Sequence, residues 1–102
     1  YIKKSRRSDA MATLLKVQLE QEKYRVNNTS YATATVLALN GDSIDDHYTI
    51  ATVGVPDATT YLITAAPKAG GAQVGDSCGT FAVDQNGPNT KGAYADDTCW
   101  QR

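Results

Sequence analysis

The longest helical pattern in this 102-residue sequence is residues 1–27, YIKKSRRSDAMATLLKVQLEQEKYRVN, which contain neither Gly nor Pro. Its apolar residues recur near the 3.6-residue period of an α-helix and so form one stripe along it. The stripe comprises Met11, Leu14, Leu15, Leu19 and Tyr24, with Ala10 and Val17 at its margins. Asn27 and Asn28 tolerate the left-handed backbone that ends a helix. We therefore predict a helix over residues 1–27 whose apolar stripe packs on the chain that follows.

The second half of the sequence has the alternating pattern of β-strands. YTIATV and TTYLITAA alternate and are rich in the β-branched and aromatic residues that strands prefer. Gly54 to Asp57 supply turn residues between them, so the two strands are expected to pair antiparallel. The predicted strands are 48–53, 59–66 and 80–84, with a weak fourth at 91–94 or near 99–100. Turns are predicted at 40–42 and 85–88, and a connecting loop over 28–47.

Length and composition indicate one small α+β domain. A chain of this length with 41% hydrophobic residues can bury one core, formed by the helix and a three- to four-stranded antiparallel sheet. The net charge of −1 creates no overall field that demands a nucleic acid or an anionic membrane. No apolar run approaches the ~18 residues that a membrane span needs. Since position 1 is Tyr, we expect a processed or truncated chain, whose precursor could carry a signal peptide or membrane segment.

Two cysteines, Cys78 and Cys99, are the candidates for covalent chemistry. An even count is compatible with one disulfide, which would close the last quarter of the chain and imply an oxidising compartment. The alternative is two buried free thiols in a cytosolic protein. The pair lacks CxxC spacing and neighbouring ligands, which disfavours a metal site. We predict a single domain over residues 1–102. Residues 48–102 would form its sheet and a C-terminal loop closed by the disulfide.

No enzyme motif occurs in the sequence: GxSxG, a phosphate-binding loop, HExxH and a dinucleotide fingerprint are all missing, so we predict neither enzymatic activity nor a cofactor. The single histidine, His47, follows two aspartates, and we interpret it as an exposed turn residue rather than half of a carboxylate–imidazole pair. Asp42, Asp45 and Asp46 offer oxygen ligands for a hard cation, but they lack the spacing of a calcium loop. Turn chemistry is the preferred interpretation of these aspartates, and a metal site is the weaker alternative.

The order of these features resembles that of a type IV pilin, and of the minor pilins in particular. The resemblance is carried by residues 5–33, 48–53, 59–67, 78–87 and 96–100, which include a Cys-Gly that opens a strand and a C-terminal Cys-Trp. Each segment alone is weak, but in this order they cover most of the chain. The resemblance implies the pilin fold, a long N-terminal helix on an antiparallel sheet with a short C-terminal disulfide loop.

A pilin resemblance implies a surface fibre of a Gram-negative bacterium. Before assembly, an apolar N-terminal half-helix, which we expect to precede Tyr1, would hold the subunit in the inner membrane with its globular part in the periplasm. Assembly machinery would then add it to a homo- or heteropolymer of pilins. The implied function is structural, in a pilus that serves adhesion, twitching motility or DNA uptake. The alternatives are a DNA- or surface-binding minor pilin and a pseudopilin of a type II secretion system.

A basic cluster at the start of the helix comprises Lys3, Lys4, Arg6 and Arg7. Such a cluster is most often a solvated face. Its functional alternatives are packing against acidic groups of neighbouring pilin subunits and salt-sensitive contact with DNA phosphates. Between these two, we favour subunit packing.

Overall fold

The computed structural model describes residues 2–37, 39, 41–71 and 73–100, with side chains from Arg6 onward. It confirms the α+β class, with one N-terminal helix packed on an antiparallel sheet of five strands. The elements are α1 (Ile2–Val26), β1 (Gly41–Asp42), β2 (Tyr48–Thr52), β3 (Leu62–Pro67), β4 (Phe81–Asp84) and β5 (Gly87–Pro88). Tyr1 and Asn40, which began the predicted helix and the first predicted turn, lie outside the described residues.

The five strands form a meander in the order β1-β2-β3-β4-β5, in which every neighbouring pair is antiparallel. The three long predicted strands correspond to β2, β3 and β4, with bounds that differ by up to three residues. The weak fourth strand was wrong, because residues 91–94 and 99–100 lie in turns and bends. The two edge strands are instead β1, inside the predicted connecting loop, and β5, inside a predicted turn.

The edge strands escaped prediction because each has only two residues, too few to show alternation. Both depend on a glycine with a positive φ, Gly41 at 96° and Gly87 at 107°, a backbone conformation that L side chains rarely adopt. Gly87 pairs with Asp84 across the turn at residues 85–86. Glycine at the end of the turn lets the chain pair with β4 immediately, so strand β5 begins within the residues predicted as a turn.

Helix α1 buries a face that is rotated from the predicted stripe. Ala10, Leu14, Val17 and Gln21 are each 0% exposed, and Met11 is 3% exposed. Apart from the adjacent pair Ala10 and Met11, these positions follow one another by three or four residues, as a helix face packed on a sheet requires. The prediction was wrong for Leu15 and Leu19, which are 50% and 55% exposed. Each follows a buried residue by one or two positions, and a step of about 100° per residue carries it away from the sheet.

Strand residues that point toward α1 form the other half of the core. Tyr48 and Ile50 of β2 are buried, whereas Thr49 and Ala51 between them are exposed, as their alternation predicts. The rings of Tyr48 and Phe81 meet edge to face, with their centroids 6.0 Å apart. Phe81 and Trp100 meet in the same way at 5.3 Å, so the C-terminal tail closes one side of the core.

A disulfide between Cys78 and Cys99 fastens this tail, as predicted. The two Cα atoms are 5.9 Å apart, a usual separation for a disulfide. The tail also bonds to the outer edge of β4: the N–H of Asn89 donates to the carbonyl of Ala82, and that of Ala95 to the carbonyl of Thr80, both at 2.8 Å. The covalent bond therefore holds the tail where Trp100 covers Phe81.

Replacing both cysteines by serine (Cys78→Ser with Cys99→Ser) is expected to lower the free energy of unfolding by about 3 kcal/mol, because a closed loop of this size restricts the unfolded chain. Urea denaturation followed by far-UV circular dichroism measures the change. The double variant avoids the reactive thiol that a single substitution would leave. Equal unfolding midpoints for the variant and the parent chain would show that the disulfide does not stabilise this fold.

Candidate functional site

The first half of α1 holds the β1–β2 loop through a buried carboxylate. Asp9 is 3% exposed, and its side chain accepts hydrogen bonds from the backbone N–H groups of Asp45 at 2.8 Å and His47 at 3.1 Å. It also accepts the hydroxyl hydrogen of Ser43, whose oxygen accepts the N–H of Tyr48 at 3.0 Å. All these donors belong to the turn before β2 or to its first residue. Asp9 therefore fixes the start of β2 against the helix.

A second polar side chain lies one helical turn further along. The buried hydroxyl of Thr13 donates to the carbonyl of Asp9 at 2.8 Å and accepts the N–H of Ile44 at 3.1 Å. The loop needs these acceptors because a buried backbone N–H without a partner is costly. Its residue Asp46 has a φ of 70°, an uncommon value outside glycine, in a turn that these hydrogen bonds hold in place.

The β3–β4 connection is held to α1 by an ion pair. The guanidinium of Arg7 donates to both carboxylate oxygens of Asp76, at 2.6 and 2.8 Å, and the Asp76 side chain is only 2% exposed. Hydrogen bonding to Asp76 raises the pKa of Arg7. Gln73 links this ion pair to the sheet. Its side-chain amide donates one hydrogen bond to Asp76 at 3.5 Å and another to the Tyr48 hydroxyl at 3.1 Å. Burial raises the pKa of that hydroxyl.

The other end of α1 holds the connecting segment and the β2–β3 loop. The buried amide of Gln21 bonds to both backbone groups of Ala32, donating at 2.6 Å and accepting at 2.9 Å. Arg25 donates to the carbonyls of Asn28 and Ala58, and its guanidinium lies 5.7 Å from the ring centre of Tyr31. The connecting segment, the β1–β2 loop, the β2–β3 loop and the β3–β4 connection are thus each bonded to a polar side chain of α1.

The face of α1 that points away from the sheet is apolar and exposed. Leu15, Leu19 and Val26 are 50%, 55% and 80% exposed, and half-buried Ala12 lies on the same side of the helix. We call these four residues the outer helix face. Exposed Lys16, Glu22 and Lys23 flank it. An apolar strip with charged margins on a small protein is typical of a surface that another chain covers.

The structure describes only part of the basic cluster predicted at the helix start. Lys3 and Lys4 lie in α1, but their side chains are outside the described part of the chain. Arg6 is half-buried, and Arg7 is already paired with Asp76. The proposed role of the cluster in subunit packing or DNA contact stays a prediction, and Arg7 can contribute to it only by giving up a buried ion pair.

Two of the three aspartates considered as a cation site pair with a lysine. The Lys68 ammonium contacts the carboxylate of Asp42 at 2.7 Å and that of Asp46, and the hydrogen bond from Lys68 lowers the pKa of Asp46. The Asp45 side chain is exposed. In the part of the chain that the structure describes, no group of three acidic, histidine or cysteine side chains is placed to hold a metal ion. His47, predicted to be exposed, is half-buried, and its backbone N–H donates to Asp9.

A shallow polar depression lies where β4 turns into β5. It is lined by Asp84, Asn86, Pro88, Asn89, Thr90 and Lys91. Asp84 organises it by accepting the N–H of Asn86 at 2.8 Å and the amide of Asn89 at 3.2 Å. The exposed ammonium of Lys91 is the cation at its rim. Lysines 23 and 68 are each within ion-pair distance of a carboxylate, whereas no described carboxylate lies that close to Lys91.

These features define a class of protein: a long helix with an exposed apolar face, laid on an antiparallel meander and closed by a C-terminal disulfide, is the architecture of a type IV pilin. The chain belongs to the minor-pilin family described as "Type IV minor pilin ComP, DNA uptake sequence receptor", whose sequence model matches residues 1–82. Type IV pilins are structural proteins. No curated protein matches the chain. Among the described residues, α1 is the one helix, and it is not apolar enough over a sufficient length to cross a membrane.

Sequence reasoning missed the polar side chains that organise the fold. Asp9, Thr13 and Gln21 are buried on the same side of α1 as Leu14 and Val17. The sequence contains a signal for them in their spacing. Each lies either four residues, or three plus four residues, from another residue of the buried face. Their partners are loop N–H and carbonyl groups, which carry no side-chain pattern, so the pairs themselves are not readable from the sequence.

The variant Asp9→Ala is expected to lower the free energy of unfolding by about 3 kcal/mol or more, because it leaves a hydroxyl and two backbone N–H groups buried without acceptors. Asp45→Ala is the matched control, since it removes an exposed carboxylate from the loop that Asp9 holds and is expected to change stability by less than about 0.5 kcal/mol. Thermal and urea unfolding measure both. Equal effects of the two substitutions would show that Asp9 does not anchor the loop.

Proposed function

We propose that this protein is an accessory subunit of a type IV pilus that assembles through the outer helix face and binds DNA at the fibre surface. Support for assembly comes from the exposure of Leu15, Leu19 and Val26 opposite the sheet. Support for DNA binding comes from the description of the family as a DNA uptake sequence receptor. On this proposal the subunit faces the periplasm before assembly and the exterior afterwards, and its partners are other pilins and duplex DNA.

The outer helix face suits contact with another helix. Ala12, Leu15 and Leu19 are spaced by three or four positions, and Val26 follows Leu19 after two turns, so the four residues lie along one side of α1. Burying one leucine side chain contributes about 1.5–3 kcal/mol, so the strip can supply a substantial part of the attraction between subunits. The remaining part of the molecule is oriented by this contact: with α1 inward, the sheet, the disulfide-closed tail and Lys91 face outward.

The assembly proposal predicts that Leu19→Glu removes the subunit from fibres while leaving its fold intact. The substituted side chain is exposed in the isolated chain, but in a helix–helix contact it buries an unpaired carboxylate at a cost of several kcal/mol. We expect the amount of this subunit in sheared pili, measured by immunoblot against the whole-cell amount, to fall about tenfold or more. Val36→Glu is the control, because Val36 is 59% exposed on the connecting segment. Equal incorporation of both variants would contradict the proposal.

DNA contact requires cations that are free to meet phosphates. Arg7, Lys23 and Lys68 are paired with carboxylates, and Arg25 bonds to backbone carbonyls. Among the lysines with described side chains this leaves Lys16, beside the outer helix face, and Lys91, at the polar depression. If α1 faces inward in the fibre, Lys91 is the one of the two that DNA can reach. The helix-start cluster of Lys3, Lys4 and Arg6 is the second candidate for the DNA contact.

Lys91→Gln is expected to weaken binding of a fluorescent duplex by the purified chain several-fold, and to reduce the slope of log affinity against log salt by about 1, as loss of one phosphate contact does. Fluorescence anisotropy over a series of salt concentrations measures both quantities. Lys23→Gln is the matched control, because it removes an exposed positive charge beside the outer helix face.

The helix-start cluster is tested by Lys3→Gln, Lys4→Gln and Arg6→Gln together, with Arg7 left in place to preserve its ion pair with Asp76. Weakening by this triple variant, with Lys91→Gln behaving as the parent chain, would move the DNA contact to the start of the helix. A parent chain that binds no duplex even at low salt would remove DNA binding from the proposal and leave assembly standing.

A further inference from the structure

We infer that Asn86 is a site of spontaneous deamidation, and that the carboxylate formed there acts on Lys91 as a slow, irreversible charge switch. The inference about Lys91 rests on the proposed DNA binding, whereas the chemistry at Asn86 does not. Three observations carry it: the exposure and bonding of Asn86, the glycine that follows it, and the depression that both Asn86 and Lys91 line.

The side chain of Asn86 is available for reaction. Asn86 is exposed in the two-residue turn between β4 and β5, and its one hydrogen bond to a described side chain is made by its backbone N–H, to Asp84. The amide of neighbouring Asn89 provides a contrast. Its nitrogen donates to Asp84 and its oxygen accepts the N–H of Lys91, so the Asn89 side chain is held at both ends.

The nucleophile is the backbone nitrogen of Gly87. A glycine has no Cβ to obstruct the approach of this nitrogen to the preceding side chain, and Gly87 already has a φ of 107°. It pairs with Asp84 in a strand of only two residues at the edge of the sheet. Gly87 is buried, so the reaction requires this strand to open. A strand of two residues at a sheet edge opens at low cost, which frees the Gly87 N–H and lets the backbone reach the reactive geometry.

The reaction balances with water alone. The Gly87 nitrogen attacks Cγ of Asn86, a new C–N bond forms, and the amide nitrogen leaves as ammonia with the proton from Gly87. The resulting five-membered imide then adds water across one of its two C–N bonds. Opening one bond gives an aspartate in the normal backbone, and opening the other gives isoaspartate. Either product places a carboxylate, ionised at neutral pH, where a neutral amide stood.

The new charge lies in the depression that Lys91 borders. A carboxylate close to an ammonium attracts it, and an ammonium engaged in that way is less available to a phosphate. Asp84, the acidic residue already present, accepts hydrogen bonds from Asn86 and Asn89 instead. Deamidation therefore adds a second carboxylate to the depression, beside that of Asp84. The expected result is a subunit whose DNA affinity falls with age.

To test the modification, the purified full chain is incubated in mildly alkaline, oxygen-18-labelled water at the growth temperature of the bacterium that produces it. Peptide mapping by mass spectrometry then locates the exchange of amide nitrogen for labelled oxygen. We expect most molecules to carry the label at Asn86 and few to carry it at Asn89, with isoaspartate the main product. Retention of the Asn86 amide in the folded chain, while the same sequence in a short peptide loses it, would overturn the inference.

DNA affinity is measured on fresh and aged samples of each chain. The parent chain is expected to lose affinity several-fold on ageing, Asn86→Asp to begin at the aged value, and Asn86→Gln to keep its own fresh value, since a glutamine would need a six-membered ring. Deamidation without any change in affinity, in a chain whose Lys91→Gln variant does bind more weakly, would overturn the switch. A fresh chain that binds no DNA disproves the proposed function and, with it, the switch, whereas the mass measurement still decides the modification.

Discussion

The buried carboxylate of Asp9 is the interaction on which the rest of the molecule depends. It lies on α1, yet its partners are the loop that starts β2, so one side chain joins the two layers of the fold. β2 in turn sets the register of the sheet, because the edge strand β1 and the central strand β3 both pair with it. Apolar burial between helix and sheet has no direction. The hydrogen bonds of Asp9, with those of Arg7 and Gln21, select one placement of the helix among those that would bury similar area.

Much of this architecture can be predicted from the sequence, and the failures have physical reasons. The existence and length of α1 follow from its uninterrupted pattern, and β2 follows from the alternation of Tyr48 and Ile50 with small or polar residues. The rotation of α1 does not follow, because Leu15 and Leu19 look as apolar as Leu14. Only the position of the sheet distinguishes them. A leucine on the exposed side of a helix and one that the core covers have the same sequence pattern, so the sequence predicts both as core.

The charges of the chain show a similar limit. A basic cluster of four residues predicts a cationic surface, but Arg7 belongs to a buried ion pair and Arg6 is half-buried. The acidic run around Asp42 predicts an anionic surface, but the ammonium of Lys68 lies between two of its members. Pairing of this kind joins residues far apart in the sequence and engages Arg7 and Lys68, which the charge pattern alone presents as free. Lys91 becomes notable as a lysine with no described carboxylate within ion-pair distance, which its isolated position in the sequence does not indicate.

Both outer strands of the sheet have only two residues, and one of them contains Pro88, which has no N–H to offer a neighbour. An open edge with a row of unpaired N–H and carbonyl groups would attract the edges of other subunits and grow sideways into amyloid-like aggregates. A chain of a pilin family, whose members assemble into fibres, is exposed to that hazard. Edge strands of two residues limit such sideways pairing.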